Sequence, residues 1–404
     1  MLSKLKKLYI LTIFLLPLML VRMPAQAQEA RADSTKTCED IHESGVALTM
    51  TNLEDYIGEE AIQLPAGQYL LDEDLSVTTP FLITAEVELC LNGNIISYTG
   101  TTADYVFQID DSGVLTIFDC GITPHSYTKG DNYLYSFTGG SGTLIGGVIT
   151  GGTLGAISVE QGSFNLYGGT IAGNSGIEGS AVKCFQQATF AMYGGSIRGN
   201  NAEKGAVYID NASFHMYGGN IGDNFSLNGG GIYAREGNVI LEGTSQIIGN
   251  VVQVSSRGLG GGLALITEGQ KRIHCEINGA QIEGNLSHNG AGIYASGHVE
   301  IEIDDASISK NHAVNAGGGI YITEAAKLDM HGGIIGEENL ASNGAGVFIG
   351  NRGEFNLSGG KIIGNHANTE GGGINANAPQ CSFKISGAPI IKDNKNSTTN
   401  DNIV

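Results

Sequence analysis

Arg257, Lys271, Arg272 and His274 bring basic side chains into one short stretch of an otherwise acidic chain. Basic groups beside a carboxylate can hold an acidic sugar and assist abstraction of its proton, which is the chemistry of a polysaccharide lyase. A set of acids follows. In the segments Cys275–Ile277, Ile301–Ile303 and Leu328–Met330 the middle residues are Glu276, Glu302 and Asp329, and two positions on stand Asn278, Asp304 and His331. If those segments are neighbouring strands, the acids form an outward column with like residues about 5 Å apart. Two carboxylates at that spacing suit a retaining glycoside hydrolase, or they could share a calcium ion. Both features have plainer readings: loop charges that stay solvated, and an acidic face on which stacked like charges only reduce stability. The sequence favours the plainer readings. Lys271, Arg272, Glu276 and Glu302 are then the residues of a catalytic alternative, and Glu276, Glu302 and Asp329 the candidates for a metal.

Aromatic residues make a third pattern. Tyr208, Tyr233, Tyr294, Tyr321 and Phe348 share one outward phase, and Tyr167, Tyr193 and Tyr217 another. A comb of rings can stack on sugar faces or form a strip that binds protein, with Arg257 nearby. It can equally serve the scaffold alone, at about 0.2–1 kcal/mol per stacked pair. Other motifs are missing. The glycine runs lack a following Lys-Ser/Thr, so no phosphate loop is expected. No two of the nine histidines stand at helical metal-ligand spacing, and there is no Cys-x-x-Cys. Gly218–Asn224 has the wrong spacing for a calcium-binding nonapeptide.

The elements that must carry these residues are set by a repeat. The phrase Met192-Tyr-Gly-Gly-Ser-Ile-Arg-Gly-Asn200 is Leu166-Tyr-Gly-Gly-Thr-Ile-Ala-Gly-Asn174 one unit earlier and Met216-Tyr-Gly-Gly-Asn-Ile-Gly-Asp-Asn224 one unit later, a period of about 26 residues. The register residue is the asparagine at 174, 200, 224, 250, 285, 311, 339, 365 and 394. Each unit holds three short extended pieces; after Asn200 they are Gly205–Ile209, Ser213–Tyr217 and the strand at Ile221. Their alternation has period two, as in Val207/Ile209 and Phe214/Met216, and Gly and Asn fill the corners. The 3.6-residue periodicity of helical solenoids and the consensus of leucine-rich repeats are both absent. The expected fold is all-β: a right-handed parallel β-helix of about a dozen coils, with a short N-terminal cap over its open edge. The inward asparagines are expected to form an amide ladder along the rod.

The blocks Gly229–Tyr233 and Gly317–Tyr321 (Gly-Gly-Gly-Ile-Tyr), with Gly290-Ala-Gly-Ile-Tyr294 and Gly344-Ala-Gly-Val-Phe348, resemble right-handed β-helix repeat proteins of bacterial surfaces. They are similar to the Gly-Gly-Ala-[Ile/Leu/Val] repeats of polymorphic outer-membrane adhesins, although the accompanying Phe-x-x-Asn motif is not in register here. The similarity covers residues 60–396. Membership of the pectin-lyase-like superfamily, which it implies, is compatible with lyases, hydrolases and inert adhesins alike.

Residues 1–27 read as a secretory signal peptide: Lys4, Lys6 and Lys7, an apolar run Leu8–Val21, and Ala25-Gln26-Ala27 as cleavage site. Cleavage after Ala27 leaves no membrane span. It also removes four of 21 basic residues and none of 41 acidic ones, so the formal net charge becomes −24. That charge disfavours nucleic acid and anionic membranes, which need clustered Lys and Arg. Further divisions are 28–58 (N-terminal segment and cap), 59–150 (irregular coils), 151–396 (regular repeats) and 397–404 (polar tail). Cys184, Cys275 and Cys381 fall on the inward phase and read as core. Cys38, Cys90 and Cys120 lie where one disulfide could form, its pairing open. The expected protein is secreted or held at a cell surface, as a released chain or part of a longer adhesin. It is a non-catalytic binding module for a glycan or a host or cell-surface protein; a lyase or hydrolase, or a structural spacer, is the alternative. No cofactor is expected, with calcium as the one candidate.

Overall fold

A computed structural model describes residues 38–404 apart from Glu59 and Thr398. The expected signal peptide and residues 28–37 lie outside the described residues. The chain is an all-β, right-handed parallel β-helix of about 13 turns. One 32-stranded sheet wraps three faces of the rod. Like positions of successive coils pair in register, so each inward column is built from one kind of side chain. On the first face Val182, Val207, Ile232, Leu263, Ile293, Ile320 and Val347 pair in turn. On the second face Phe164, Phe190 and Phe214 do so, with ring centroids 5.0 and 4.8 Å apart. On the third, isoleucine follows isoleucine from Ile149 to Ile391. These columns are almost wholly buried and form one continuous core.

The repeat has four strands rather than the three expected. The four residues after a ladder asparagine, such as Asn201–Lys204 and Phe225–Asn228, form a separate sheet of 8 parallel strands. Most send a small side chain inward, among them Ala202, Ser226, Ser287, Ala313 and Ala341. Glycine blocks join this fourth face to the first. Gly229 turns the corner at φ +63°, and a Cβ on Gly231 would stand 2.8 Å from the carbonyl oxygen of Gly262 in the next coil.

The nine register asparagines are all fully buried. Each Nδ2 donates to the Oδ1 of the next, from Asn174→Asn200 at 3.0 Å through Asn250→Asn285 at 3.1 Å to Asn365→Asn394 at 2.8 Å. Asn394 in turn donates to Asn402 at 3.1 Å. The segment expected as a polar tail thus folds back on the last coil, where the Ile374 N–H also donates to the carbonyl of Asn402.

At the other end the strand Val46–Leu48 pairs parallel to Gly67–Leu71 and is followed by the short helix Met50–Leu53, while the helix Cys38–Ser44 lies on the outer side of the second face against Leu70, Cys90 and Phe118. Thr49 and Asn52 close a reciprocal capping box on the helix Met50–Leu53. Residues 121–147 leave the rod altogether. Pro124–Lys129, Tyr135–Ser136 and Gly142–Ile145 form an antiparallel sheet laid along the third face. Tyr135 fastens it, with its N–H 3.0 Å from the Gly199 carbonyl and its hydroxyl donating to Asp223 at 3.3 Å. Cys184 and Cys275 are core residues as expected, whereas Cys381, in the last coil, is only half-buried.

Replacing Asn285 by Ala strands the buried backbone N–H of Asn250 and one N–H of its amide, which keeps the Ile221 carbonyl, and takes one of two donors from Asn311 Oδ1. Buried unpaired groups are destabilising by about 1–3 kcal/mol each. Asn285→Ala should lower stability by about 3 kcal/mol or more in denaturant titration. The exposed Asn315→Ala should change it by less than about 0.5 kcal/mol.

Candidate functional site

The loop 267–272 breaks the repeat between Leu263–Ile266 and the long strand Ile273–Glu283. It folds back over the two preceding coils and is held there by charge. Lys271 Nζ lies 2.7 Å from Asp210 Oδ1 and 3.3 Å from Glu236 Oε2. Arg235 joins the same group, 3.2 Å from Asp210 and 3.4 Å from the Tyr208 hydroxyl. The hydrogen bond to Asp210, helped by Glu236 and opposed by burial, raises Lys271 above the usual lysine value. Lys271 is therefore a fixed cation and unsuited to act as a base.

Beside the loop an open polar groove of about 410 Å³ crosses the bend between the first and second faces. Two stacked columns build it. Backbone pairing carries Glu236, Arg272 and His298 past one another, because the Gly237 N–H donates to the Arg272 carbonyl at 3.0 Å and the Ile273 N–H to that of His298 at 3.1 Å. Two positions on, Asn238, His274 and Glu300 are direct register partners. All six line the groove. Its walls thus alternate donors and acceptors, and His274 is anchored by Glu276, 2.7 Å from its Nε2.

The structure unites some of the expected site residues and separates others. Arg272 and His274 meet in the groove, while Lys271 turns away to Asp210. Arg257 sits at a left-handed turn (φ 60°) after Val254–Ser256, on the far side of the strand Leu263–Ile266, and does not line the groove. Glu276, Glu302 and Asp329 are register neighbours as expected, but off the groove. A bulge next to them pairs Asn278 with Asp305 instead of Asp304. Among the described residues these three carboxylates do not converge on a common point. Asp329 is occupied by Lys327 at 2.6 Å and Asn356 at 2.7 Å. Burial acts to raise Asp329, yet those hydrogen bonds prevail and hold it below the usual carboxylate range.

No family model, curated protein or solved structure matches this chain.

The aromatic ladder runs within the wall of the rod. Tyr208 is only 1 % exposed and stacks on Tyr233 at 5.8 Å. Ala264 then interrupts the column before Tyr294, Tyr321 and Phe348, stacked at 5.1 and 4.8 Å. Burial raises Tyr294 to about 12 and also lifts Tyr233 and Tyr321. Glu236, Asn238, His298 and Glu300 were not singled out from the sequence. The column through His274, two positions before Glu276, holds both Asn238 one coil earlier and Glu300 one coil later, and reading it along the repeat would have found them.

Lys271→Ala should free the loop, seen as faster amide exchange and earlier proteolysis at 267–272, with a stability loss of no more than about 1 kcal/mol because the pair is partly solvated. Asp329, depressed in the folded state, contributes stability above its ordinary value of 3.8 that is lost as pH falls through the folded value. Asp329→Asn should flatten the fall in melting temperature over that acid range while leaving its slope at neutral pH unchanged.

Proposed function

We propose that this chain is a secreted or surface-held β-helix rod of the pectin-lyase-like kind that works by binding, an adhesin-like module taking a glycan in the groove beside loop 267–272. The observation that carries this reading is the pair of columns Glu236/Arg272/His298 and Asn238/His274/Glu300, which offer alternating hydrogen-bond donors and acceptors on rigid strands. Such a surface matches the hydroxyls of a sugar, whose groups both donate and accept. The chain's net charge of −20 selects against free polyanions and favours neutral glycans. Calcium would enter through Glu276 and Glu302, as a bridge to a glycan that is itself acidic.

Binding is favoured over cleavage for two physical reasons. The lysine nearest the groove is tied to two carboxylates and stays protonated. The register pair Glu276 and Glu302 lies outside the groove, so a sugar seated there would not have both carboxylates across its scissile bond.

The mature chain should retain neutral oligosaccharides on a glycan array without releasing products. Arg272→Ala and Glu300→Gln should each weaken that binding about tenfold, or about 1.4 kcal/mol, with melting temperature unchanged. Unsaturated or hydrolysed fragments, or undiminished binding by both variants, would sink the reading.

A further inference from the structure

The N-terminal helix Cys38–Ser44 places Cys38 and His42 one turn apart on the same face, and that face meets the second face of the rod where two coils each present a cysteine. Cys90 ends the strand Glu86–Cys90 and is fully buried. Cys120 follows the strand Val114–Phe118 one coil on, in which Phe118 is the register partner of Cys90. The four side chains converge. Cys38 Sγ is 2.9 Å from Cys90 Sγ, which is 3.6 Å from Cys120 Sγ. His42 Nε2 is 3.1 Å from Cys120 Sγ and 3.8 Å from Cys90 Sγ. All three sulfurs lie within 4.8 Å of one another, the one such group of potential ligands among the described residues.

We propose that Cys38, His42, Cys90 and Cys120 form a structural zinc site. Metal–ligand bonds of about 2.3 Å to sulfur and 2.0–2.1 Å to nitrogen make the edges of a tetrahedron about 3.5–3.8 Å. The observed separations straddle that range, so a small adjustment of three sulfurs and one imidazole completes the shell. Three thiolates with one imidazole is a closed donor set that leaves no position for substrate, which makes the role structural. A disulfide would use two of these sulfurs and leave unexplained why a third thiol and an imidazole meet them.

The position in the fold supplies the reason for a clamp. The asparagine ladder begins at Asn174, so the coils beneath the N-terminal helix lack it. A zinc ion there would join three pieces of chain distant in sequence: the N-terminal helix, the end of one coil's strand and the turn of the next. Ligation of that kind contributes directly to folding free energy.

The test uses the chain purified under reduction and supplied with zinc. Elemental analysis should find one zinc per chain, and cobalt(II) in its place should show thiolate charge-transfer and tetrahedral ligand-field bands. Cys120→Ser and His42→Ala, both at exposed positions, should each lose zinc at least about tenfold more readily to a competing chelator while the far-ultraviolet circular dichroism stays unchanged. Removing zinc should lower the melting temperature of the parent chain more than that of either variant. A fully reduced chain that takes up no zinc overturns the proposal, as does one whose two variants hold zinc as tightly as the parent. In the first case, a Cys38–Cys90 cross-linked peptide from unreduced protein would identify that pair as a disulfide.

Discussion

From Asn174 onward, each coil of this rod must pass an asparagine amide to its neighbour. In the middle of the ladder, as at Asn285, Oδ1 accepts both the N–H and the Nδ2 of the asparagine before it. Its Nδ2 donates onward to the next asparagine and back to the Ile247 carbonyl. The amide is thus saturated in a place without water, and shifting one coil by a residue would break several buried hydrogen bonds at once. That constraint fixes the register of all four faces. Isoleucine stacks on isoleucine and phenylalanine on phenylalanine because the amides beside them have one way to pair. The corner glycines follow from the same requirement, since the chain must turn sharply on both sides of the ladder.

Much of this was legible because a repeat writes one structural decision many times. The asparagine register, the inward phase of Val207, Ile209, Phe214 and Met216, and the parallel coil could all be read from spacing. The fourth face could not. Its strands are two to five residues long and turn mostly small residues inward, such as Ala202 or Ser226, so they lack the alternation of large apolar side chains that marks a strand. The antiparallel sheet 124–145 was illegible for a different reason: Tyr135 and Tyr133 find partners in Asp223 and Phe225 on coils well along the rod, and no local pattern announces a contact so distant. The sequence groups Cys38, Cys90 and Cys120 only as candidates for one disulfide, because nothing in it marks His42, one turn from Cys38, as their neighbour. The cluster's other half begins at Cys90, 52 residues beyond Cys38.

Regular coils leave little for chemistry, so departures from the repeat mark the places where the molecule is specialised. Three stand out among the described residues: the thiol cluster under the N-terminal helix, the sheet laid over the third face, and the long coil between Asn250 and Asn285. The last makes the polar groove. It does so by an economical route, since the groove walls are ordinary outward strand positions and the loop adds a rim. Rigid strands hold Glu300, His274 and Asn238 at the spacing of stacked coils, which is also the order of the spacing between hydroxyls on neighbouring sugar units.

Charge along the second face shows where that face is at rest and where it is not. In one column Glu300, Lys327 and Glu354 alternate in sign, and Lys384 then bonds back to Glu354. In the adjacent column Glu276, Glu302 and Asp329 follow one another with the same sign. Two unit charges about 5 Å apart repel by about 0.8 kcal/mol even in bulk water, and by more beside a protein surface. Asp329 is relieved by Lys327 and Asn356, and Glu276 by His274. The His274 contact leaves Glu302, in the next coil, as the like-charged register neighbour of Glu276. A cation or a hydrogen-bonding ligand at the groove's edge would act against that same repulsion, and the face beside the groove is therefore the part of the rod whose energy a bound partner can most readily lower.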